Sequence, residues 1–245
     1  MTLDTYDNEE ALASALATHL IDAIVRNPRL VLGLPTGRTP VALYRELRDR
    51  TRRDRTSWAD VRTFNLDEFA GLSGRDPGSY RTFMQAELFG HVNLAPGHIE
   101  MLDGGAPDLQ VECDRYERAI AAAGGIDIQV LGIGANGHIG FNEPADGLHA
   151  LTHVADLQPA TRAANARLFG GDPTRVPARA LSMGMGTILA ARRIVLLATG
   201  GEKADAVAGM VRGLITPHLP ASLLQVHPRV SVLLDREAAA GLSSG

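Results

Sequence analysis

The chain has 245 residues, 45% of them hydrophobic, which is enough for one large α/β domain and short for two. Its 24 Lys and Arg against 28 Asp and Glu leave a formal charge of −4, which argues against a general affinity for nucleic acid or anionic membrane. A single cysteine, Cys113, excludes an internal disulfide, and no apolar run approaches the ~18 residues of a spanning helix. The opening Met-Thr-Leu-Asp-Thr-Tyr-Asp is acidic, unlike a signal peptide, so the cytoplasm is the expected compartment.

Asn8 to Asn27 reads as a helix: Leu12, Leu16, Leu20 and Ile24 fall on one face, Glu9 and Glu10 suit the first turn, and Pro28 closes it. Arg29 to Leu34 follows as a buried strand. Pro35-Thr-Gly-Arg-Thr-Pro40 then turns the chain into a helix from Val41 to Arg50, with Thr39 as N-cap and Pro40 at the first helical position. A strand, a small Gly/Thr turn and a helix N-terminus together offer free N–H groups and a dipole to an anion. The turn lacks the Lys and the length of a Walker loop, so it suits a sugar phosphate better than a nucleotide.

Val61 to Leu66 is the next expected strand, with Asp67-Glu-Phe at its C-terminal end. Adjacent carboxylates in a strand face opposite ways, so only one of Asp67 and Glu68 can enter a shared pocket. Gly71 to Ser79 reads as loop, Ser79 to Leu88 as helix, Pro96 to Pro107 as irregular, and Leu109 to Ala123 as helix. That last helix holds Cys113 among acids that would raise its pKa, which makes it a poor nucleophile.

Ile126-Asp-Ile-Gln-Val130 is a strand, and Leu131-Gly-Ile-Gly-Ala-Asn-Gly-His-Ile-Gly-Phe-Asn-Glu-Pro144 after it gathers four glycines, a His, two Asn and a Glu in one loop. Glycines such as Gly137 and Gly140 let backbone amides come close to a ligand, while His138 and Glu143 put titratable groups at a strand end. Gly132-Ile-Gly134 is a poor dinucleotide fingerprint, because His138 to Pro144 cannot easily open a long helix. Ala145 to Gly171 is polar and weakly patterned, with a helical piece around Thr161 to Leu168; a segment this long is usually functional, often a lid. Ala180 to Gly186 leads into Thr187 to Ala190 as a strand-to-helix turn. Arg193 to Ala198 is a strand, and Thr199-Gly-Gly-Glu-Lys203 opens a helix to Gly213. Lys203 in a first helical turn runs against the dipole unless an anion sits nearby. Val230 to Asp235 is the last strand and Arg236 to Gly245 a short tail. Alternating strands and helices, with nearly every motif at a strand C-terminus, argue for a single doubly wound α/β domain.

The loop Gly132 to Pro144 resembles the signature loop of the glucosamine-6-phosphate deaminase (isomerase) family. Leu34-Pro-Thr-Gly-Arg-Thr-Pro40, Phe64-Asn-Leu-Asp-Glu-Phe69 and Leu224-Gln-Val-His-Pro228 fit the same family in the same order, so the similarity runs from about Leu30 to Asp235. The resemblance implies a Rossmann-like, mostly parallel sheet with helices on both faces, one domain over 1–245, and a lid at roughly 156–177. It also implies a hydrolytic activity of amino-sugar catabolism on a C–N bond: glucosamine 6-phosphate and water give fructose 6-phosphate and ammonia.

By resemblance Asp67 is the base that moves a proton between C2 and C1, His138 opens the ring, and Glu143 holds the imidazole tautomer. Asn136 stands where some members carry an Asp; it can orient the ring but adds no charge. Lys203 and Arg167 match the family's phosphate positions, helped by Thr36, Gly37 and Thr39. Arg38 departs from the small residue usual there, and either adds a phosphate contact or points outward. No metal or organic cofactor is implied. The expected partner is the phosphosugar alone, with no nucleic acid or membrane, in a monomer or small homo-oligomer.

Members activated by N-acetylglucosamine 6-phosphate are hexamers that bind its phosphate with Ser, Arg and Lys just after the glycine loop. The aligned positions here are Asp146, His153 and Ala155, so no such activation is expected. The alternatives are a 6-phosphogluconolactonase, whose loops read differently at Phe64 to Glu68 and Phe141 to Pro144, and a sugar-phosphate sensor. A sensor would carry a helix-turn-helix domain for which about 28 residues ahead of the first expected strand are too few. His138, Glu143 and Asp67 make a thin metal set, and no G-x-S-x-G elbow is present.

Overall fold

Thr2–Tyr6 (β1) is a strand that the sequence pattern does not announce, since it lies at a sheet edge with four of its five side chains exposed and has no apolar alternation. It precedes Arg29 to Leu34, so the first strand is not the one expected. The structure, a computed structural model, describes residues 1–242; the last three residues of the expected tail lie outside the described residues.

Glu9–Arg26 (α1) begins at Asn8, whose side chain accepts from the Ala11 amide, and Glu9 and Glu10 sit at the positive end of its dipole. Leu12, Leu16, Leu20 and Ile24 are buried, as their spacing requires. Val31–Leu34 (β2) is buried throughout and leads to Pro40–Asp54 (α2). The cap expected of Thr39 does not form: its angles are already helical (φ −57°, ψ −40°) and its hydroxyl makes no cap bond. Capping needs an extended backbone to aim the side chain back at the first amides.

The expected strand through Leu66 and its appended Asp67-Glu-Phe are two strands in different sheets, Arg62–Asn65 (β3) and Asp67–Phe69 (β4). Leu66 is the handover. Its N–H donates to the Leu34 carbonyl at 3.2 Å in the large sheet, while its own carbonyl accepts from the Met183 amide at 2.7 Å beside the second. Tyr80–Glu87 (α3), Ile99–Glu100 (β5), Leu109–Ala122 (α4) and Ile128–Leu131 (β6) follow. β5 falls inside the stretch expected to be irregular, and two residues are too short to show a period.

After the glycine loop come His153–Asp156 (β7), Pro159–Asn165 (α5), Arg179–Ser182 (β8), Met185–Leu189 (α6), Ile194–Ala198 (β9), Ala204–Arg212 (α7) and Val230–Asp235 (β10). The segment before α7, Gly201–Lys203, is a 3₁₀ turn rather than its first α turn.

Seven strands run parallel in the order β1-β10-β9-β6-β2-β3-β5. From β2 the chain winds outward through β3 and β5, then returns through α4 to lay β6 on the other side of β2 and continues to β9 and β10. The winding therefore reverses between β2 and β6, and the loops leaving their C-terminal ends diverge. That is the crevice where open α/β sheets bind ligands. One face of the sheet is covered by Leu16, Leu20, Leu43 and Leu47 of α1 and α2, the other by Tyr116, Ile120, Val207 and Met210 of α4 and α7. The antiparallel sheet β4-β8-β7 stands beside the crevice and aligns Asp67, Ser182 and His153 across its strands. No helix among the described residues is long and apolar enough to cross a membrane.

Candidate active site

The crevice between the β2 and β6 loops is a cleft whose walls include Thr36, Gly37 and Thr39 on one side and Gly134, His138 and Gly140 on the other. Asp67, Tyr80, Phe141 and Asn165 complete it. Six of the residues expected in the site thus share one wall-to-wall space.

Asp67 is 6% exposed and points into this cleft, and Gly140 passes so near that a Cβ there would stand 3.6 Å from Asp67 Oδ2. Burial pushes its carboxyl from 3.8 to about 7; the neighbouring charge of Glu68 adds to the rise, and the Thr36 hydroxyl, which donates to Oδ1 at 3.3 Å, opposes it. A carboxylate with that affinity for a proton is matched to general-base work near neutrality. Glu68 faces the other way, as strand alternation demands. It is buried and accepts the amides of Phe69 (2.8 Å), Tyr80 (3.0 Å) and Arg81 (3.0 Å), so it anchors the start of α3 instead of entering the cleft.

The His138 imidazole lies across Gly134. A Cβ on Gly134 would come within 2.3 to 2.6 Å of three ring atoms, so only glycine lets the ring occupy this place. Nδ1 is 3.5 Å from Glu143 Oε2, an ion-pair separation, and has no hydrogen-bond partner. Asn136 donates through Nδ2 to Glu143 Oε2 at 3.0 Å and accepts the His138 backbone amide at 3.2 Å, so its contact with the imidazole is indirect, through Glu143. Burial raises the pKa of Glu143, but the nearby His138 ring and the bonds from Thr161 and Asn136 outweigh it and hold the carboxyl below its ordinary value. An ionised Glu143 can stabilise a protonated imidazole. Gly134→Ala is expected to push the ring aside and lower turnover about tenfold or more, since sub-ångström placement of a catalytic group governs rate. Steady-state kinetics with a thermal melt checks this; full activity in the Ala variant would mean that the ring position is immaterial.

The remaining expected residues are not among those that line the cleft. Gly137, at φ +83°, supports the loop: its Cα packs against Leu219 and its carbonyl accepts the Ala221 amide at 2.9 Å. Arg38 is exposed and close enough to Lys203 to act on its charge. The Lys203 pKa is lowered by burial, with Arg38 adding and Glu202 opposing. The Arg167 charge reaches the Tyr80 hydroxyl, whose pKa is raised well above normal mainly by burial. Cys113 is buried, and burial with Glu112, Asp114 and Glu117 pushes its thiol up to about 11, so it is no nucleophile.

Sequence reasoning missed Tyr80, Thr161, Asn165 and Ser182. Tyr80 stacks on Phe141 (6.1 Å, 10°) and donates to Asn165 Oδ1 at 3.2 Å; Ser182 accepts the Phe141 amide at 3.0 Å. An aromatic residue at a helix start reads as core, and the polar face of a short helix reads as solvated. The Thr161/Asn165 spacing of one helical turn was the only available signal.

A family model described as glucosamine-6-phosphate isomerases/6-phosphogluconolactonase matches residues 4–232. The chain is 48% identical to glucosamine-6-phosphate deaminase 2 of Bacillus subtilis (strain 168) over 239 residues, 97% of this chain and 96% of that one. It is 42% identical to the glucosamine-6-phosphate deaminase of Clostridium botulinum (strain Loch Maree / Type A3) over 243 residues, 99% of each. Among solved structures, a monomeric glucosamine-6-phosphate deaminase superposes with a TM-score of 0.95 at 44% identity, covering 98% of this chain and 100% of that one. The 6-phosphogluconolactonase of Trypanosoma cruzi superposes with a TM-score of 0.77 at 21% identity over 99% of this chain and 97% of that one, a likeness of fold alone.

Proposed function

We propose that this chain, which belongs to the glucosamine-6-phosphate isomerase/6-phosphogluconolactonase family, converts glucosamine 6-phosphate and water into fructose 6-phosphate and ammonia. The observation that carries the reading is a buried carboxylate, Asp67, with a pKa near 7, in one cleft with His138. Hydrolysis of a lactone leaves the C2–H bond intact, so it needs no base placed at C2.

In this reading the phosphate binds at Thr36, Gly37 and Thr39 with Lys203, Arg167 and Arg38 around it. His138, its tautomer held by Glu143 and Asn136, carries a proton from O1 to O5 as the ring opens. Asp67 takes the C2 proton while the C1 carbonyl oxygen takes one given up by the C2 ammonium group, giving a neutral enolamine, and Asp67 then returns its proton to C1. Water adds to the resulting C2 iminium and ammonia leaves, so one water enters and one C–N bond breaks, which is the hydrolytic part of an isomerising deamination. The chain is read as a cytoplasmic monomer or small oligomer of amino-sugar catabolism, a reading supported by the relative described as monomeric.

The test is to give the purified protein glucosamine 6-phosphate and, separately, 6-phosphogluconolactone. Equal yields of ammonia and fructose 6-phosphate with the lactone left to its spontaneous decay support the reading; the reverse refutes it.

N-acetylglucosamine 6-phosphate is expected to act as at most a competitive inhibitor. Asp146 is exposed and would repel a phosphate, His153 is buried with Nδ1 on the Leu151 carbonyl at 3.2 Å, and Ala155 offers no donor. An effector without differential contacts cannot shift a conformational equilibrium. Initial rates with and without the acetylated sugar check this: a sigmoidal curve made hyperbolic by it would count against the expectation.

A further inference from the structure

We infer that Thr161 and Asn165 of α5 are positioning residues that hold the two chemical halves of the cleft in register, an inference that rests on the deaminase reading above. One helical turn apart, they face the same way. The Thr161 hydroxyl donates to Glu143 Oε1, and Asn165 Oδ1 accepts from the Tyr80 hydroxyl at 3.2 Å. Glu143 belongs to the ring-opening half, with His138. Tyr80 belongs to the proton-transfer half, lining the cleft with Asp67.

The geometry of each bond is selective. Glu143 has two oxygens, and Thr161 occupies one while Asn136 and His138 approach the other, at 3.0 and 3.5 Å. With Oε1 pinned, the carboxylate cannot turn about its last torsion, which is otherwise broad. A buried helical threonine ordinarily satisfies its hydroxyl on a carbonyl of the preceding turn. Thr161, only 3% exposed, sends its hydroxyl out of the helix to a carboxylate 18 residues away in sequence. Asn165 is fixed in the same sense. Its Nδ2 donates to the Thr161 carbonyl at 2.9 Å, which leaves Oδ1 directed at Tyr80. Tyr80 in turn stacks on Phe141, inside the loop between His138 and Glu143. The contacts close a ring from Glu143 through α5 and Tyr80 back to the glycine loop, and both α5 and Tyr80 stand outside the expected motifs.

Thr161→Val removes the hydroxyl at nearly constant volume. It is expected to lower kcat about tenfold or more while KM stays within about threefold, because only the placement of the reacting groups changes. Thr161→Ser, which restores the hydroxyl, should recover most of the loss. In a Glu143→Gln background the further loss from Thr161→Val should shrink below about twofold, since residues acting through one another are not additive. Tyr80→Phe keeps the stack and removes the Asn165 bond, and is expected to reduce kcat about threefold at unchanged KM. Thermal melts accompany each assay, and should Thr161→Val be unfolded, the Ser and Phe variants carry the test. The inference is overturned by wild-type kcat in Thr161→Val or Tyr80→Phe, by a Ser variant as poor as the Val variant, or by full additivity with Glu143→Gln. A wild-type protein that releases no ammonia from glucosamine 6-phosphate sinks the deaminase reading itself, whatever the variants do.

Discussion

Asp67→Asn is expected to lower turnover of glucosamine 6-phosphate by about two to four orders of magnitude, the range for loss of a general base, with KM within about threefold. Asparagine keeps the shape of the side chain and still accepts the Thr36 hydroxyl, but it takes no proton. Thr36, the proposed phosphate anchor that touches Asp67, keeps its acceptor in the asparagine, so binding should survive. Retention of more than about a tenth of the activity would remove Asp67 from the proton-transfer role.

The same substitution carries a stability signature. The folded-state pKa of Asp67 is raised from 3.8 to about 7, so the folded protein holds this proton more tightly than the unfolded chain. Its stabilising contribution is present below about pH 4 and is lost as pH rises to about 7, above which the buried charge is a constant cost. The Asn variant should therefore be more stable than wild type at pH 8, by about 1 to 4 kcal/mol, and the gap should close toward pH 4. Melting curves at the two pH values measure it. A variant less stable than wild type at pH 8 would mean that Asp67 is paired rather than desolvated.

Lys203→Ala and Arg167→Ala are each expected to raise KM for the phosphosugar about 10- to 150-fold, the equivalent of ~1.5 to 3 kcal/mol for a lost charge-assisted contact. Lys203 stands half-buried beside Arg38, at the turn before α7, where a cation opposes the helix dipole unless an anion is bound. The charge of the exposed Arg167 acts on Tyr80, which lines the cleft. Turnover is expected to fall as well, because binding energy on the remote phosphate also positions C1 and C2. An unchanged KM in both variants would place the phosphate elsewhere.

The residues of the cleft were readable where they sit in short contiguous motifs at strand ends. The β2 turn, Asp67 and the glycine loop each carry their chemistry within a few positions, and parallel winding brings strand C-termini to one side. The helices were readable because burial follows the period, as with Leu12, Leu16, Leu20 and Ile24 in α1. β1 and β5 escaped because an exposed edge and a two-residue pairing leave no period, and β7 because its burial alternates while its residues, His-Val-Ala-Asp, do not alternate in polarity. The split of Phe64 to Phe69 between two sheets escaped because it is made by Leu66, whose two backbone bonds join chain segments far apart in sequence. Thr161 and Asn165 escaped for the same reason: their partners, Glu143 and Tyr80, are set by the tertiary fold.

Glucosamine 6-phosphate carrying deuterium at C2 tests the central claim most directly, since an isomerising deamination must break that C–D bond and a simple displacement of the amine need not. With the purified protein, the account predicts fructose 6-phosphate and ammonia in equal amounts, with no deuterium bonded at C2 and the label recovered at C1 or in the solvent. An aldose 6-phosphate released with ammonia and still carrying deuterium at C2 would contradict it.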